Sequence, residues 1–349
     1  MAGRSAAKLA EVRDAIGAGG DVGLVVADAD DAASLAALCA RTSAIVSTVG
    51  PYQLYGSGLV AACAASGTAY LDLCGEPGWM RAMIDAHERQ AKASGARIVF
   101  SCGFDSIPFD LGVQFLQETA AARFGAPAPR VKGRVRSMKG GFSGGTAASL
   151  KATLAAAKAD PSLFKLLADP FALTPGRRGP DQPAGCCRST IPTSMHGWHR
   201  SSWRRSTPRT SIAPTSCSAS PGRHRLRRDD GGGARRHRPA AAEAIAKINP
   251  LGGDKGPKPG EGPSKEEREA GSYDVLFVGV MDDGRRCEVS VSGDRDPGYG
   301  STSKMIAESA LCLLEDVRGE GGIWTPGALM GATLRARLAA NAGLAFTAT

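Results

Sequence analysis

The sequence predicts an α/β fold, a parallel sheet followed by a second α+β domain, and three observations carry that expectation. Short apolar runs at 45–49, 70–73 and 97–102 each stop at a Gly-rich polar loop. Segments with helical apolar spacing separate them, so strand, loop and helix recur in turn. From Val131 onward the pattern changes to alternating strands and one long amphipathic helix. Strands alternating with helices imply right-handed βαβ crossovers. In such a sheet the loops at the carboxyl ends of the strands share one edge, and ligands bind there. Residues 48–58, 72–77 and 103–110 are therefore expected to converge on one crevice.

Each element has a local reason. Ser5 is a good N-cap for a first helix whose Leu9, Val12 and Ile16 share a face and which Gly17 and Gly19 stop. Residues 22–26 read as a buried strand ending at Asp28-Ala29-Asp30, and 31–39 as a second helix. After the strand at 45–49, small residues over 58–65 make a short helix able to lie close to the sheet. A strand at 70–73, a helix at 79–93, a strand at 97–102 and a helix from 110 complete a first region, 1–125. The second region takes in 126–185 and 240–349. There Val131, Gly133 and Val135 alternate with Lys132, Arg134 and Arg136, a strand with one wet face. A Gly-rich turn at 140–146 precedes a helix at 147–157. Residues 273–281 and 286–292, joined by Asp282-Asp283-Gly284, read as a β-hairpin. Residues 302–317 read as a helix with Ile306, Ala310, Leu313 and Val317 on one side. The apolar tail from Ile323 is expected to pack back onto one of the two domains.

Composition narrows the function. A chain of 349 residues can bury a sizeable core. It has no apolar run near the ~20 residues of a membrane span, and its first residues lack the apolar core of a signal peptide. The nine cysteines are scattered without metal-ligand spacing, so no metal is expected. They read as reduced thiols of a cytoplasmic protein, at most peripheral to a membrane. The net charge of +9 is local. Residues 186–239 hold 12 Arg, no Lys and 2 Asp, a net of +10, which leaves −1 for the rest. No nucleic-acid partner is expected for the folded part.

That basic segment has no periodicity. One reading is a disordered linker. The other is a stretch out of frame, because shifting the codons for 198–220 back by one base permits a peptide with helical apolar spacing. Four of the five His lie there, so they are not read as metal ligands. His87 sits beside Glu88 and Arg89 on a solvated helix face. Residues 141–145 match Gly-x-Ser-x-Gly formally, but so Gly-rich a turn matches by chance and has no His partner. A dinucleotide fold also opens with a strand and a Gly-x-Gly-x-x-Gly turn for the pyrophosphate. No such turn precedes Gly3. The expectation is a start about one βα unit late, a truncated form open to being inactive.

Gly50-Pro51-Tyr52-x-x-Tyr55-Gly56, the run from Tyr70 to Glu76 and the run from Cys102 to Asp110 resemble the saccharopine dehydrogenase-like oxidoreductases. Within them the likeness is to the trans-acting enoyl reductases of polyketide-lipid biosynthesis. Residues 142–149, 179–183 and 322–326 extend it, as does the frame-shifted peptide, over about 1–185 and 240–349. The resemblance implies a Rossmann-like domain, here lacking its first βα unit, that binds NADP, with NAD as the alternative. Arg4 matches the position that meets the adenosine 2′-phosphate, although a solvated helix start explains it equally. Asp28 and Ala29 border the adenine, with an N-cap as the other reading of Asp28. Thr48, Gly50 and Pro51 lie where backbone passes the nicotinamide ribose. Tyr52 or Tyr55 would act as proton donor or enolate stabiliser. Asp72, Glu76, Asp105 and Ser106 are cleft candidates. Asp72 and Glu76 also suit loop caps that accept backbone N–H bonds, and Asp105 an Asx turn.

The implied activity is reduction of a double bond in a small-molecule or carrier-bound lipid, beside a polyketide synthase. A saccharopine-type amino-acid dehydrogenase and a non-catalytic remnant or interaction protein stay open as alternatives. The former handles a carboxylate-rich substrate and wants Arg in the cleft. The three crevice loops hold no Arg or Lys.

Overall fold

A computed structural model describes residues 1–140, 143–174 and 262–349. The basic segment at 186–239, the motif at 179–183, and Gly141 and Phe142 lie outside the described residues. In chain order β1 (Ala2–Gly3), α1 (Ala6–Ala15), β2 (Val25–Val26), α2 (Ala32–Cys39), β3 (Ala44–Ser47), α3 (Tyr52–Tyr55) and α4 (Ser57–Ser66) come first. β4 (Ala69–Asp72), α5 (Pro77–Ser94), β5 (Arg97–Val99) and α6 (Ile107–Phe124) follow. Then come β6 (Arg130–Lys139), α7 (Gly144–Ala159), α8 (Ser162–Ala168), α9 (Lys265–Glu269), β7 (Ser272–Val280) and β8 (Arg286–Gly293). The described chain ends with α10 (Thr302–Leu311), β9 (Gly322–Trp324), α11 (Pro326–Leu329), α12 (Gly331–Asn341) and β10 (Leu344–Ala348).

The expected α/β class holds. Parallel strands form one sheet in the order β3-β4-β5-β9, and antiparallel strands a second in the order β10-β8-β7-β6. All four residues of β4 are buried, as a central parallel strand covered on both faces requires. Alternation along the strands splits the interior in two. Tyr70 and Ile98 join a cluster with Tyr52, Val60, Trp79 and Phe100. Their neighbours Leu71 and Val99 join the larger cluster, which runs through α6 to Val275, Phe277 and Val291 of the antiparallel sheet. One core thus serves both sheets, with Phe109 of α6 edge-on to Phe277 at 6.4 Å. β6 shows the predicted alternation, Val131 buried and Lys132, Arg134 and Arg136 exposed. Helix α5 stops where Gly95 takes a φ of 84°, the left-handed conformation that favours glycine at a helix end.

Four expectations need correction. Residues 22–26 give only a two-residue strand, and Val26 is 61% exposed because little covers that edge. Ser5 does cap α1, its Oγ accepting from the Lys8 N–H, but no residue of that helix is buried and Val12 and Ile16 lie open. The tail serves both sheets rather than one domain, because β9 extends the parallel sheet beside β5 and β10 pairs with β8. The helix at 302–317 keeps its α form to Leu311 and widens to a π turn over Cys312–Asp316.

Among the described residues β1 pairs with β2 alone and β3 with β4 alone, so the parallel strands fall into two sheets.

Gly112 is where α6 meets the antiparallel sheet. A Cβ there would overlap the Phe277 ring and press on Val291. Gly112→Val is expected to cost about 1–3 kcal/mol by overpacking, read as a lower urea midpoint. An unchanged midpoint would show that the two sheets do not share this core.

Candidate functional site

Parallel order sends the turns after β3, β4 and β5 to one edge of the sheet. Direct bonds then hold them together. Asp72, the last residue of β4, is wholly buried. Its Oδ1 accepts the N–H of Cys74 at 3.0 Å and of Ser101 at 2.8 Å. Its Oδ2 accepts the Tyr70 hydroxyl at 3.1 Å. Ser101 has a φ of 64°, a left-handed conformation unusual for a side chain with a Cβ, and its Oγ donates to the Cys74 carbonyl at 2.6 Å. Two bonds therefore secure the strained residue, and with it the turn after β5 to the turn after β4.

Glu76 does the same for the turn after β3. A cis Gly50–Pro51 bond there leads into α3. Glu76 Oε1 and Oε2 accept the first free N–H groups of that helix, Tyr52 and Gln53, each at 2.8 Å. Oε1 also accepts the Ser149 hydroxyl of α7 at 2.7 Å. Gln53 Nε2 donates to Thr153 Oγ1 at 3.2 Å. Ser149 and Thr153 are four residues apart, on one face of α7, so that helix of the second region is seated over the turn. The Tyr52 hydroxyl lies inside the crossing, donating to the Ser47 carbonyl and accepting the Leu73 N–H, both at 3.1 Å.

Burial sets the electrostatics. It raises the Asp72 carboxyl to about 7, against the pull of the Cys74 and Ser101 N–H groups. Burial first, and the Asp72 charge second, drive the Tyr52 phenol far above its ordinary range. Cys74 and Cys102, both enclosed, are pushed up for the same reason.

Of the residues expected from sequence, Thr48 and Gly50 leave the edge exposed and Pro51 is half-buried. Tyr55, at the end of α3, is 43% exposed, in contrast to Tyr52 at 5%. Asp105 is exposed beside the turn after β5, and Ser106 is buried at the start of α6. Arg4 lies elsewhere, at the carboxyl end of β1, where with Lys8 it borders a hollow of about 470 Å³ lined by Gly3, Ser5, Leu9 and Val12. Asp28 and Ala29 follow β2. The N-cap reading of Asp28 is corrected: Asp31 caps α2 by accepting the Ala33 N–H, and Asp28 Oδ1 takes the Asp30 N–H in a local turn. The Ala29 carbonyl lies against Gly58 of α4, which brings this loop next to the helix that follows the Gly50–Pro51 turn. Sequence reasoning missed Ser101, Ser149 and Thr153. Two hydroxyls at i and i+4 on an Ala-rich helix are a readable sign, but nothing in Phe100-Ser101-Cys102 announces a left-handed serine.

The parallel sheet thus gathers its turns at its carboxyl edge, and a helix of the second region lies over them. Residues 1–99 match the family model described as the saccharopine dehydrogenase NADP binding domain. A protein of Mycobacterium tuberculosis is 37% identical over 396 positions, covering 100% of this chain and 90% of its own length. The trans-acting enoyl reductase of Mycobacterium ulcerans is 34% identical with the same coverage. The chain belongs to the trans-acting enoyl reductase branch of the saccharopine dehydrogenase-like oxidoreductases, and its cofactor is NADP. Apo saccharopine dehydrogenase (L-Glu forming) from Saccharomyces cerevisiae aligns over 100% of this chain and 93% of that one, at 11% identity and a TM-score of 0.49, too distant to carry an argument. Among the described residues no helix is long and apolar enough to cross a membrane.

The Asp72 carboxyl gives a pH test. Its folded pKa lies above the value of about 3.9 for an unfolded Asp, so the folded chain holds the proton more tightly. This group's contribution is full below about pH 4 and is lost as pH rises to about 7, at up to about 1.4 kcal/mol per unit. Asp72→Asn keeps the Oδ1 acceptor and removes the titration. The stability difference between the parent and this variant, followed by denaturation across that window, is expected to change with pH; a constant difference would contradict the assignment.

Proposed function

We propose that the protein reduces the carbon–carbon double bond of an enoyl thioester on the way to a polyketide or lipid, in trans to the synthase that carries it. The character of the crevice supports this reading most directly. Its three loops carry no Arg or Lys, and Val49, Leu54 and Tyr55 stand exposed along the turn after β3. An apolar acyl chain suits such a rim. A carboxylate-rich amino acid does not, since its charges would go unpaired.

NADPH, when bound, supplies the hydride. Arg4, with Lys8 beside it, would hold the phosphate on the adenosine ribose, and Asp28 and Ala29 would border the adenine. Thr48, Gly50 and Pro51 offer open backbone to the nicotinamide ribose. The donor set fits the cofactor: two exposed cations edge a hollow at one strand end, and an uncharged turn stands at another. Tyr55 is the proton donor or enolate stabiliser, because its phenol reaches solvent space. Tyr52 is a positioning residue, its hydroxyl joining Ser47 to Leu73. Asp72 and Glu76 hold the loops, and Asp105 and Ser106 line the cleft beside them.

The test is NADPH consumption by the full chain with a short 2-enoyl pantetheine thioester, against saccharopine with NADP. Turnover of the thioester alone supports the proposal. Turnover of saccharopine alone overturns it, and absence of NADPH binding by a folded chain favours a non-catalytic role. Tyr55→Phe is expected to lower kcat by about 10²-fold or more with NADPH affinity kept; unchanged kcat removes Tyr55 from the chemistry.

A further inference from the structure

The six described cysteines are free thiols, and two of them meet. Cys39, the last residue of α2, and Cys63, in the middle of α4, place their sulfurs 3.7 Å apart inside the packing of the two helices. They are separated by 24 positions in the chain and take no part in the crevice bonds. We infer that Cys39 and Cys63 are a thiol pair built to close into a disulfide across α2 and α4, with hydrogen peroxide as the oxidant.

Geometry and surroundings carry this. The sulfurs are already in contact, so reaching a bond of about 2 Å needs side-chain rotation and a small approach of two helices that already pack together. The two sulfurs share one S–H···S contact, in which either thiol can be the donor. With Cys63 donating, that contact outweighs burial and holds the Cys39 thiol below its ordinary range, and the thiolate is the reactive form. Ser66 Oγ donates to Thr68 Oγ1 at 2.9 Å, and Thr68 Oγ1 to the Cys39 carbonyl at 3.1 Å, which ties the end of α2 to the turn after α4. Cys63, as the donor of the pair, is pushed up in turn, and burial pushes up Cys74, Cys102, Cys287 and Cys312.

The steps balance. The Cys39 thiolate attacks one peroxide oxygen, the O–O bond breaks, and the departing hydroxide takes a proton to leave as water, giving a sulfenic acid. The Cys63 thiol then attacks that sulfur; the S–O bond breaks, and the hydroxyl leaves with the thiol proton as a second water. Two thiols are oxidised to one disulfide, and one peroxide is reduced to two waters. Both thiols are buried, so peroxide meets them when the end of the eight-residue helix α2 opens locally.

The full chain, with Cys186, Cys187 and Cys217 changed to Ser, is treated with peroxide. It is then alkylated in denaturant and digested without reduction. A linked peptide containing Cys39 and Cys63, two hydrogens lighter than the sum of its parts, is expected. The melting midpoint should shift upward and return on reduction. Cys39→Ser and Cys63→Ser should each lose both signals. Should either variant fail to fold, the parent mapping still decides. Full alkylation of Cys39 and Cys63 after peroxide, or Cys39 found as sulfinic acid without the linked peptide, would overturn the inference.

Discussion

Among the described residues, two buried carboxylates hold the turns after β3, β4 and β5 together without a cationic partner. Asp72 and Glu76 are enclosed, yet the atoms facing them are backbone N–H groups, a phenol and a serine hydroxyl. An unpaired buried charge is costly, and several directed donors are what make it tolerable. The donors come from β4 and its turn, from the turns after β3 and β5 and from α7, so satisfying the carboxylates and assembling the edge are one event. For Asp72 the three donors do not fully offset burial, which is why its carboxyl sits near neutrality in its titration.

This clasp separates scaffold from surface. Tyr52 and Tyr55 are three residues apart on the same short helix, yet one is locked between two backbone groups and the other looks outward. The helix is anchored at its N-terminus by Glu76 and flanked by Trp79, whose ring lies 5.7 Å from that of Tyr52. The exposed phenol thus stands on a rigidly held helix. Ser149 and Thr153 extend the support into the second region, so the helix over the crevice is tied to the turn it covers.

Much of this was legible in the sequence. The apolar runs ending at Gly-rich loops marked β3, β4 and β5, most clearly β4, which is buried on both faces and has no polar face to interrupt it. Alternation in 131–136 announced a strand with a wet side. The capacity of Asp72 and Glu76 to accept backbone N–H bonds was readable from carboxylates placed just after a strand. What could not be read depends on distant partners. The left-handed Ser101 exists because Asp72 and Cys74 hold it, and no local propensity favours it. The division of the tail between two sheets follows from free edges beside β5 and β8, which only the assembled fold defines. Residues 22–26 look like a strand, but a strand needs neighbours, and at the break between β1 and β3 there are few.

The convergence of the three turns on one nucleotide is tested most directly by amide hydrogen exchange with and without NADPH. Slowed exchange at 48–56, 72–77 and 101–106, with the opposite edge of the parallel sheet unchanged, is the expected result. Protection at the amino ends of β3, β4 and β5, or at one turn without the other two, would contradict a shared crevice.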